Sequence, residues 1–293
     1  MANAFSYSDG AVREDLLDIL TNLSPTDTQL ITGLATSKAM AQRHEWLTDT
    51  LSDVKTNAFA EGANATQHAV TSPTRLINYT QISRQGFQVS DTERAVNTAN
   101  FNDRYNYEAE KAMKMIKNDM ELAVLRGSLA CGAAAVTGQC KGIKNWLSLV
   151  TSQSGISLSE TTFNDYLQNV WNVGTEVNAA YMGITLKRRI ASWTGAATAK
   201  NTEVNDKRLV NTVSIYEADA AKIVKLFAHR HVNESVNNDI VGINEDLFRV
   251  AYLRKPFNKD IPSSADGKVG EIISEYTLEC LQPWGGFLGE KHL

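Results

Sequence analysis

The longest regular pattern of apolar positions lies in residues 102–132. Apolar side chains recur there at steps of three and four, which places them on one face of a helix: Ala109, Ala112, Met113, Ile116, Met120, Ala123 and Val124. No Gly or Pro interrupts residues 103–126, and Asn102 or Asp103 can cap the first turn. At 1.5 Å per residue this helix would be roughly 35–45 Å long. The pattern predicts a spine helix longer than a compact domain usually needs.

A polar stretch precedes this helix. Residues 55–90 carry few strongly apolar side chains, with turn signals at Gly62 and at Ser72-Pro73. Four apolar positions within it share one parity, as in half-buried strands: Ile77, Tyr79, Phe87 and Val89. We therefore expect two extended arms joined around residues 62–73. A lightly apolar hairpin is stable only when another surface covers it, and a neighbouring subunit is the natural candidate.

The rest of the chain carries short helical and extended patterns, which indicate a compact mixed domain; the α+β class follows from the resemblance given below. Helical patterns occupy residues 11–23, ended by Pro25, then 159–174 and 186–193. Extended patterns occupy residues 45–49, 179–184, 208–216 and 222–232. Two longer ones, at 248–253 and 271–281, flank a polar loop at residues 256–270 and predict a second hairpin.

Composition narrows the function classes. The 293 residues are 43% hydrophobic and 21% charged, and the net charge of −4 does not favour a protein that grips nucleic acid through its phosphates. No apolar run reaches 18 residues, and the first residues lack a secretory pattern. Cys131, Cys140 and Cys280 lack metal-site spacing, so we interpret them as free thiols in a reducing cytoplasm.

No pattern of catalytic residues stands out. Residues 138–142 lack the spacing of a phosphate-binding loop, and no Ser lies in a Gly-x-Ser-x-Gly elbow. His229 and His231 would share one face of a strand, so a metal is conceivable. Glu234 is a single carboxylate in polar surroundings and does not complete a metal site, so a solvated or interface strand is the preferred interpretation. We expect no enzyme, no cofactor and no metal, with an enzyme using either histidine as a remote alternative.

Several ordered blocks resemble the SU-10-like major capsid proteins of tailed bacteriophages. The blocks cover nearly the whole chain: REDL at 13–16, SPTDT at 24–28, EWLTDTL at 45–51, NA at 57–58, EG at 61–62, PTRLINYTQI at 73–82, VSDT at 89–92, AV at 95–96, ME at 120–121 and EYTLE at 275–279. Two regions depart from the family pattern. The ending QPWGG at 282–286 leads us to expect a C-terminal tail with contacts particular to this shell, and residues 198–208 are atypically polar.

The resemblance implies the HK-97-like capsid fold. Its parts would be an N-terminal arm at 1–54, an E-loop at 55–98, a P-domain with the spine helix at 99–151, an A-domain at 152–246, and a P-domain hairpin with P-loop and C-terminal tail at 247–293. The subunit contacts expected from it are Phe59, Glu61, Arg75, Ile77, Tyr79, Gln81, Arg84 and Phe87 in the E-loop, Arg13, Leu16 and Trp46 in the arm, and Lys255, Phe257 and Lys259 in the P-loop.

The function implied by the resemblance is that of a major capsid protein. Copies would assemble into hexamers and pentamers of an icosahedral head enclosing double-stranded DNA, built in the host bacterial cytoplasm. The chain itself would be the main partner. A portal protein at one vertex, scaffolding and cement proteins, and DNA in weak non-specific contact would be the others, with no membrane. The alternative is another virion structural protein, in the tail tube or as a decoration or cement protein.

Overall fold

The computed structural model describes residues 28–51, 54–64, 70, 72–96, 103–133, 136–193, 214–218, 221–233, 238–262 and 266–292. The predicted helix at 11–23, with Arg13 and Leu16, lies outside these residues, as does most of the expected strand at 208–216. Among the described helices, none is long and apolar enough to cross a membrane.

Six helices and twelve strands are described. In chain order they are α1 (Gln29–Gly33), β1 (Ala35–Lys38), β2 (Arg43–Thr48), β3 (Thr74–Tyr79), β4 (Gln81–Val89), α2 (Asp91–Ala95), α3 (Arg104–Arg126), α4 (Ile143–Trp146), β5 (Leu149–Ser152), α5 (Glu160–Asn172), β6 (Ala179–Met182), α6 (Ile184–Ser192), β7 (Ile215–Ala218), β8 (Ala221–Ala228), β9 (Asn238–Ile243), β10 (Phe248–Ile261), β11 (Lys268–Cys280) and β12 (Gly286–His292), with a 3-10 turn at Glu245–Leu247 before β10.

The spine helix is confirmed as α3, with 23 residues. Asp103 caps its start, because its side chain accepts a hydrogen bond from the backbone N–H of Tyr105 at 3.0 Å. It ends before Gly127, where a Cβ atom would lie 2.2 Å from the carbonyl oxygen of Cys140. The predicted stripe forms its buried face: Ala112, Ile116, Met120 and Val124.

Three sheets organise the rest. A four-stranded sheet in the order β1-β10-β11-β4 lies against α3, where Ile272 of β11 and Phe87 of β4 pack on Ala112 and Ile116. We call this the P-sheet. A six-stranded sheet in the order β5-β12-β9-β6-β8-β7 is packed against α5 and α6. The strands β2 and β3 form a separate two-stranded hairpin.

The two arms expected at residues 55–90 do not pair with each other, so that prediction is wrong in detail. β3 pairs antiparallel with β2, whereas β4 pairs antiparallel with β11 in the P-sheet. The projecting hairpin therefore consists of residues 43–79, with residues 49–73 as its connection. β4 belongs to the body of the subunit because its alternate side chains, including Phe87 and Val89, turn towards the interior.

The polar loop expected at residues 256–270 is also mostly strand. β10 continues to Ile261 and β11 begins at Lys268, so Lys255, Phe257 and Lys259 lie on β10 and not in a loop. Cross-strand neighbours explain the extension. Phe257 lies opposite Ile273, and Lys259 lies opposite Glu271.

The C-terminal residues are part of a sheet instead of a tail. β12 lies between β5, to which it is parallel, and β9, to which it is antiparallel. A sequence-based boundary placed 247–293 in the P-domain, but Gly286–His292 completes the six-stranded sheet that residues 149–243 begin. The chain therefore passes between the two larger sheets three times.

A buried carboxylate joins these parts. Glu121 of α3 is fully buried, and its two oxygens accept hydrogen bonds from the backbone N–H groups of Leu30 at 2.7 Å and Ile31 at 2.9 Å. The Nε2 atom of His229, just after β8, lies 2.9 Å from Oε1 of Glu121. Nδ1 of His229 accepts a hydrogen bond from the backbone N–H of His231 at 3.2 Å. The ring proton is therefore on Nε2, which donates a hydrogen bond to Glu121. One side chain thus links α1, the spine helix and the six-stranded sheet.

A second buried pair ties α4 to the six-stranded sheet. Nζ of Lys144 lies 2.5 Å from Oδ2 of Asp239 on β9 and donates to the carbonyl oxygen of Val232 at 2.7 Å. The other oxygen of Asp239 accepts the backbone N–H of Lys291 on β12 at 3.1 Å. Because both charged groups are buried and have hydrogen-bond partners, the pair fixes how α4 and β12 meet.

We expect Glu121→Ala to destabilise the subunit strongly. The substitution leaves three donors without an acceptor, two of them buried and that of Ile31 partly buried, and each buried group costs about 1–3 kcal/mol. The free energy of unfolding, measured by urea denaturation of unassembled subunits, should fall by about 3 kcal/mol or more. Glu110→Gln is the matched control, because Glu110 is exposed on the same helix. A Glu121→Ala subunit as stable as the control would refute this role.

The lowered pKa values of two histidines lead us to expect a loss of stability in mild acid. Burial holds the pKa of His292, on β12 beside Tyr166, below its ordinary value of 6.5. Burial is also the largest cause that lowers the pKa of His231, followed by the electrostatic influence of the neighbouring His229 and Arg126. The unfolded chain therefore binds more protons than the folded chain once the pH falls below the unfolded pKa of about 6.5.

The contribution of these imidazoles is present above that pH and is lost below it. We expect the free energy of unfolding to decrease as the pH is lowered from about 7.5 to about 5.5, and we expect His292→Gln to make this decrease shallower. Urea denaturation at a series of pH values measures both slopes. Identical slopes for the wild type and the variant would exclude a contribution from His292.

Candidate subunit interface

The connection of the projecting hairpin carries apolar side chains that the described part of the chain leaves largely exposed. In the connection between β2 and β3, Leu51 is 99% exposed, Val54 is 103%, Phe59 is 64% and Val70 is 94%. Glu61, in the turn at Gly62, is also exposed. An isolated exposed apolar residue is ordinary, but a row of them on one projecting segment marks an interaction surface.

The base of the hairpin is packed into the subunit. The indole N–H of Trp46 donates to the carbonyl oxygen of Cys280 at 2.7 Å, and its ring lies 5.6 Å from that of Trp146. The expected role of Trp46 as an arm contact with another subunit stays a prediction, and within its own chain the side chain is half-buried. It holds β2 on its own body. Arg75 is exposed and pairs with Glu45 at 3.2 Å, and Ile77 is half-buried in the same hairpin.

The P-sheet has a second face that is only partly covered. Cross-strand neighbours form three successive rows on it: Ile82, Glu275 and Arg254; then Arg84, Ile273 and Phe257; then Gly86, Glu271 and Lys259. We call these nine residues the open face. A cavity of about 710 Å³ lies between this face and the loop at residues 132–138.

Charges on the open face are unevenly paired. Nε of Arg254 lies 2.9 Å from Oε2 of Glu275, and Nζ of Lys259 lies 4.0 Å from Oε1 of Glu271. Arg84 makes no ion pair with any residue that the structure describes. The side chains of Ile82 and Phe257 are 52% and 40% exposed beside it. The face therefore offers apolar area with one unpaired positive charge.

Three of the predicted contact residues come together here, and others do not. Arg84, Phe257 and Lys259 share the open face, and Lys255 is exposed on the same strand. Gln81 and Phe87 turn inward instead. Oε1 of Gln81 accepts the N–H of Cys140 at 3.3 Å, and the ring of Phe87 lies 5.1 Å from that of Tyr105. Tyr79 is half-buried on β3.

The side chains that could take part in catalysis or bind a metal have structural roles instead. His229 is bonded to Glu121, a partner that lies 108 positions away and that the sequence pattern did not reveal. No cluster of three His, Cys, Asp or Glu side chains able to hold a metal ion occurs within the described ranges. Burial raises the pKa of the Cys140 and Cys280 thiols to about 12, so both are unreactive at neutral pH.

The sequence pattern missed two residues that matter most for the architecture. Glu121 interrupts the apolar stripe of the spine, and a lone acidic residue on such a stripe is the signal that could have identified it. Asn78 is fully buried on β3 and joins three segments. It lies within the block at 73–82 that carries the family resemblance, but nothing in its local pattern marks it as buried.

Solved structures identify the class of fold. The chain is similar to a chain of the capsid of a native GTA particle, with a TM-score of 0.72 and 11% identity over 99% of both chains. It is also similar to the holo-SrpI encapsulin of Synechococcus elongatus, with a TM-score of 0.62 and 10% identity over 100% of this chain and 96% of that one. At these identities the likeness shows the fold alone. The expected α+β, HK-97-like capsid fold is confirmed.

Sequence comparison then separates the phage proteins from other proteins with this fold. The chain belongs to the SU10 major capsid protein family, whose sequence model matches residues 2–289. It is also 32% identical to a major capsid protein of Escherichia phage Phieco32 over 125 residues, which are 42% of this chain and 35% of that protein. The chain thus matches about a third of that relative's length. The expected family is confirmed, and with it a structural role in the virion.

We expect Trp46→Ala to destabilise the single subunit, because Trp46 is half-buried and packs on the core of its own subunit. Removing a fully buried Trp costs about 3–5 kcal/mol, so we expect a loss near the lower end of that range. Leu47→Ala is the matched control: Leu47 is the next residue of β2, is exposed and should change stability by less than about 0.5 kcal/mol. Urea denaturation of unassembled subunits measures both. Equal effects of the two substitutions would show that Trp46 does not anchor β2 to its own subunit.

Proposed function

We propose that copies of this chain assemble into hexamers and pentamers of an icosahedral head shell that encloses double-stranded DNA. In this proposal the projecting hairpin of each copy lies on the open face of a neighbour. The observation that carries it is the pair of complementary surfaces within one chain. The hairpin exposes Leu51, Val54, Phe59 and Val70, and the open face of the P-sheet exposes Ile82 and Phe257 among its charged side chains.

Charge is consistent with this arrangement. Glu61 is exposed at the end of the hairpin, and Arg84 has no ion-pair partner among the described residues on the open face. A pair between copies would stay weak in solvent, with a magnitude of about 0–1 kcal/mol. It would set the register of the contact more than its strength. Most of the affinity would come from burial of the apolar side chains, at about 25 cal/mol per Å².

Many modest contacts suit a shell. Specific interfaces bury about 1,200–2,000 Å² each, and a subunit that shares several of them gains from multivalency. The net charge of −4 suits a container, because strong binding to DNA would hinder packaging. We further propose a portal protein at one vertex, scaffolding and cement proteins as additional partners, assembly in the host cytoplasm and no catalytic role. The family disfavours the tail-tube and decoration alternatives.

We expect Phe59→Ser to reduce shell assembly while leaving the subunit folded. The side chain is exposed in the single chain, so its removal costs little stability there, but it would remove apolar area from the contact between copies. Phe59→Leu is the matched control and should assemble nearly as well as the wild type. Electron microscopy and sedimentation of the particles measure assembly, and circular dichroism measures folding. Normal shells from Phe59→Ser would contradict the proposed contact.

We expect Arg84→Glu to impair assembly in the same assay, and Arg84→Lys to impair it much less. The reversal places a second negative charge opposite Glu61 of the neighbouring copy, whereas lysine keeps the positive charge. The defect of Arg84→Glu should be partly relieved by Glu61→Arg in the same chain. Absence of any rescue would show that these two residues do not meet.

A further inference from the structure

The strand that leads out of the P-sheet changes its partner at one residue. Gln81 of β4 still pairs with Tyr276 of β11, whereas Tyr79 of β3 already pairs with Arg43 of β2. Thr80 lies between them, and its backbone N–H donates to the carbonyl oxygen of Gln42 at 2.8 Å. A chain that passes from one sheet to another can swing at the junction unless side chains hold it.

Asn78 holds this junction with every hydrogen-bonding group of its amide. Nδ2 donates to the carbonyl oxygens of Leu278 at 2.6 Å and Lys141 at 3.2 Å. Oδ1 accepts the N–H groups of Lys141 at 2.8 Å and Tyr79 at 2.9 Å. The side chain is fully buried and uses two donors and two acceptor sites, the full capacity of a carboxamide. It fastens the hairpin to β11 and to the loop that follows the spine helix.

Thr80 holds the same junction from the other side. Its hydroxyl donates to Oε1 of Glu275 at 2.9 Å, and the other oxygen of Glu275 accepts from Nε of Arg254 at 2.9 Å. Thr80 and Glu275 are both buried. The bonds of Asn78 and Thr80 are directed to different residues of β11, so together they resist rotation as well as displacement.

We propose that Asn78 and Thr80 form an elbow that sets the direction in which the projecting hairpin leaves the P-sheet. Past the elbow, the segment that connects β2 to β3 carries the exposed side chains described above, and its described residues form neither helix nor strand. Trp46 holds the other strand of the hairpin at the same level. Both residues act by positioning the hairpin and do not themselves contact a neighbour.

The consequence for assembly rests on the proposed contact between copies. If the hairpin reaches a neighbour, the elbow angle determines where its end falls on that neighbour. A small change of angle at the base displaces the end of a long hairpin by a larger distance. The elbow would then select among shell geometries, so a loosened elbow would give particles of mixed shape.

Asn78→Asp and Thr80→Val test the elbow with little change of volume. Asn78→Asp replaces the Nδ2 donor by an oxygen that faces two carbonyl oxygens, and Thr80→Val removes only the hydroxyl. Asn57→Asp is the matched control, because Asn57 is exposed on the same projecting segment. Spin labels at Thr74→Cys on the hairpin and Lys117→Cys on the spine report the angle. Both positions are exposed, and Cys131→Ser removes the exposed native thiol.

The readout is the distance distribution between the two labels in unassembled full-length subunits, with thermal unfolding measured in parallel. We expect one narrow distance in the wild type and in Asn57→Asp, and loss of that single distance in Asn78→Asp and Thr80→Val. A merely stabilising role would lower the unfolding temperature and leave the distance unchanged. A narrow, unshifted distance in both folded variants overturns the proposal. If Asn78→Asp does not fold, Thr80→Val decides in the same way.

Particle imaging separates the elbow from the proposed contact. A broadened distance together with mixed particle shapes supports both. A broadened distance with shells of normal size and yield supports the elbow and refutes the proposed role of the hairpin in assembly.

Discussion

The Glu121 carboxylate is the constraint on which the subunit architecture depends. A buried carboxylate is costly unless donors surround it, and here donors from two distant segments of the chain meet the carboxylate of a third. Leu30 and Ile31 belong to α1, His229 follows β8 of the six-stranded sheet, and Glu121 itself lies on the spine helix. The set of hydrogen bonds is therefore complete only when all three parts are in place. This makes the arrangement of α1, α3 and the six-stranded sheet cooperative.

The subunit divides its polar and apolar groups according to their roles. Inside, charged and amide groups are bonded, as in the Lys144–Asp239 pair and the amide of Asn78. Outside, the projecting hairpin and the open face leave apolar groups without cover. The first set fixes a rigid body, and the second is what the proposed contact between copies would use. A capsid protein of the SU10 family needs both, because a shell forms only when rigid subunits present unsatisfied surfaces at defined angles.

The sequence predicted the elements that follow from the local spacing of apolar residues. It did not predict features that depend on contacts between residues far apart in the chain. The spine helix follows from its own spacing of apolar residues and its cap, so α3 agrees closely with the prediction. The parity of Ile77, Tyr79, Phe87 and Val89 predicts strands, but it continues through Thr80 and cannot show that the strand changes partner there. In the sequence, Trp46 belongs to the predicted arm. Its contacts with Trp146 and Cys280, which lie 100 and 234 positions away, are visible only in the structure. Glu121 likewise depends on donors 90 and more positions away.

The measurement that tests the account most directly is a cryo-electron microscopy reconstruction of the assembled particle at side-chain resolution. The account predicts that Phe59 of each copy lies on the open face of a neighbouring copy, with Glu61 near Arg84. It also predicts that Asn78 and Glu121 keep the same partners within every subunit. A particle in which Phe59 faces solvent, or in which the hairpin folds back onto its own P-sheet, would contradict it.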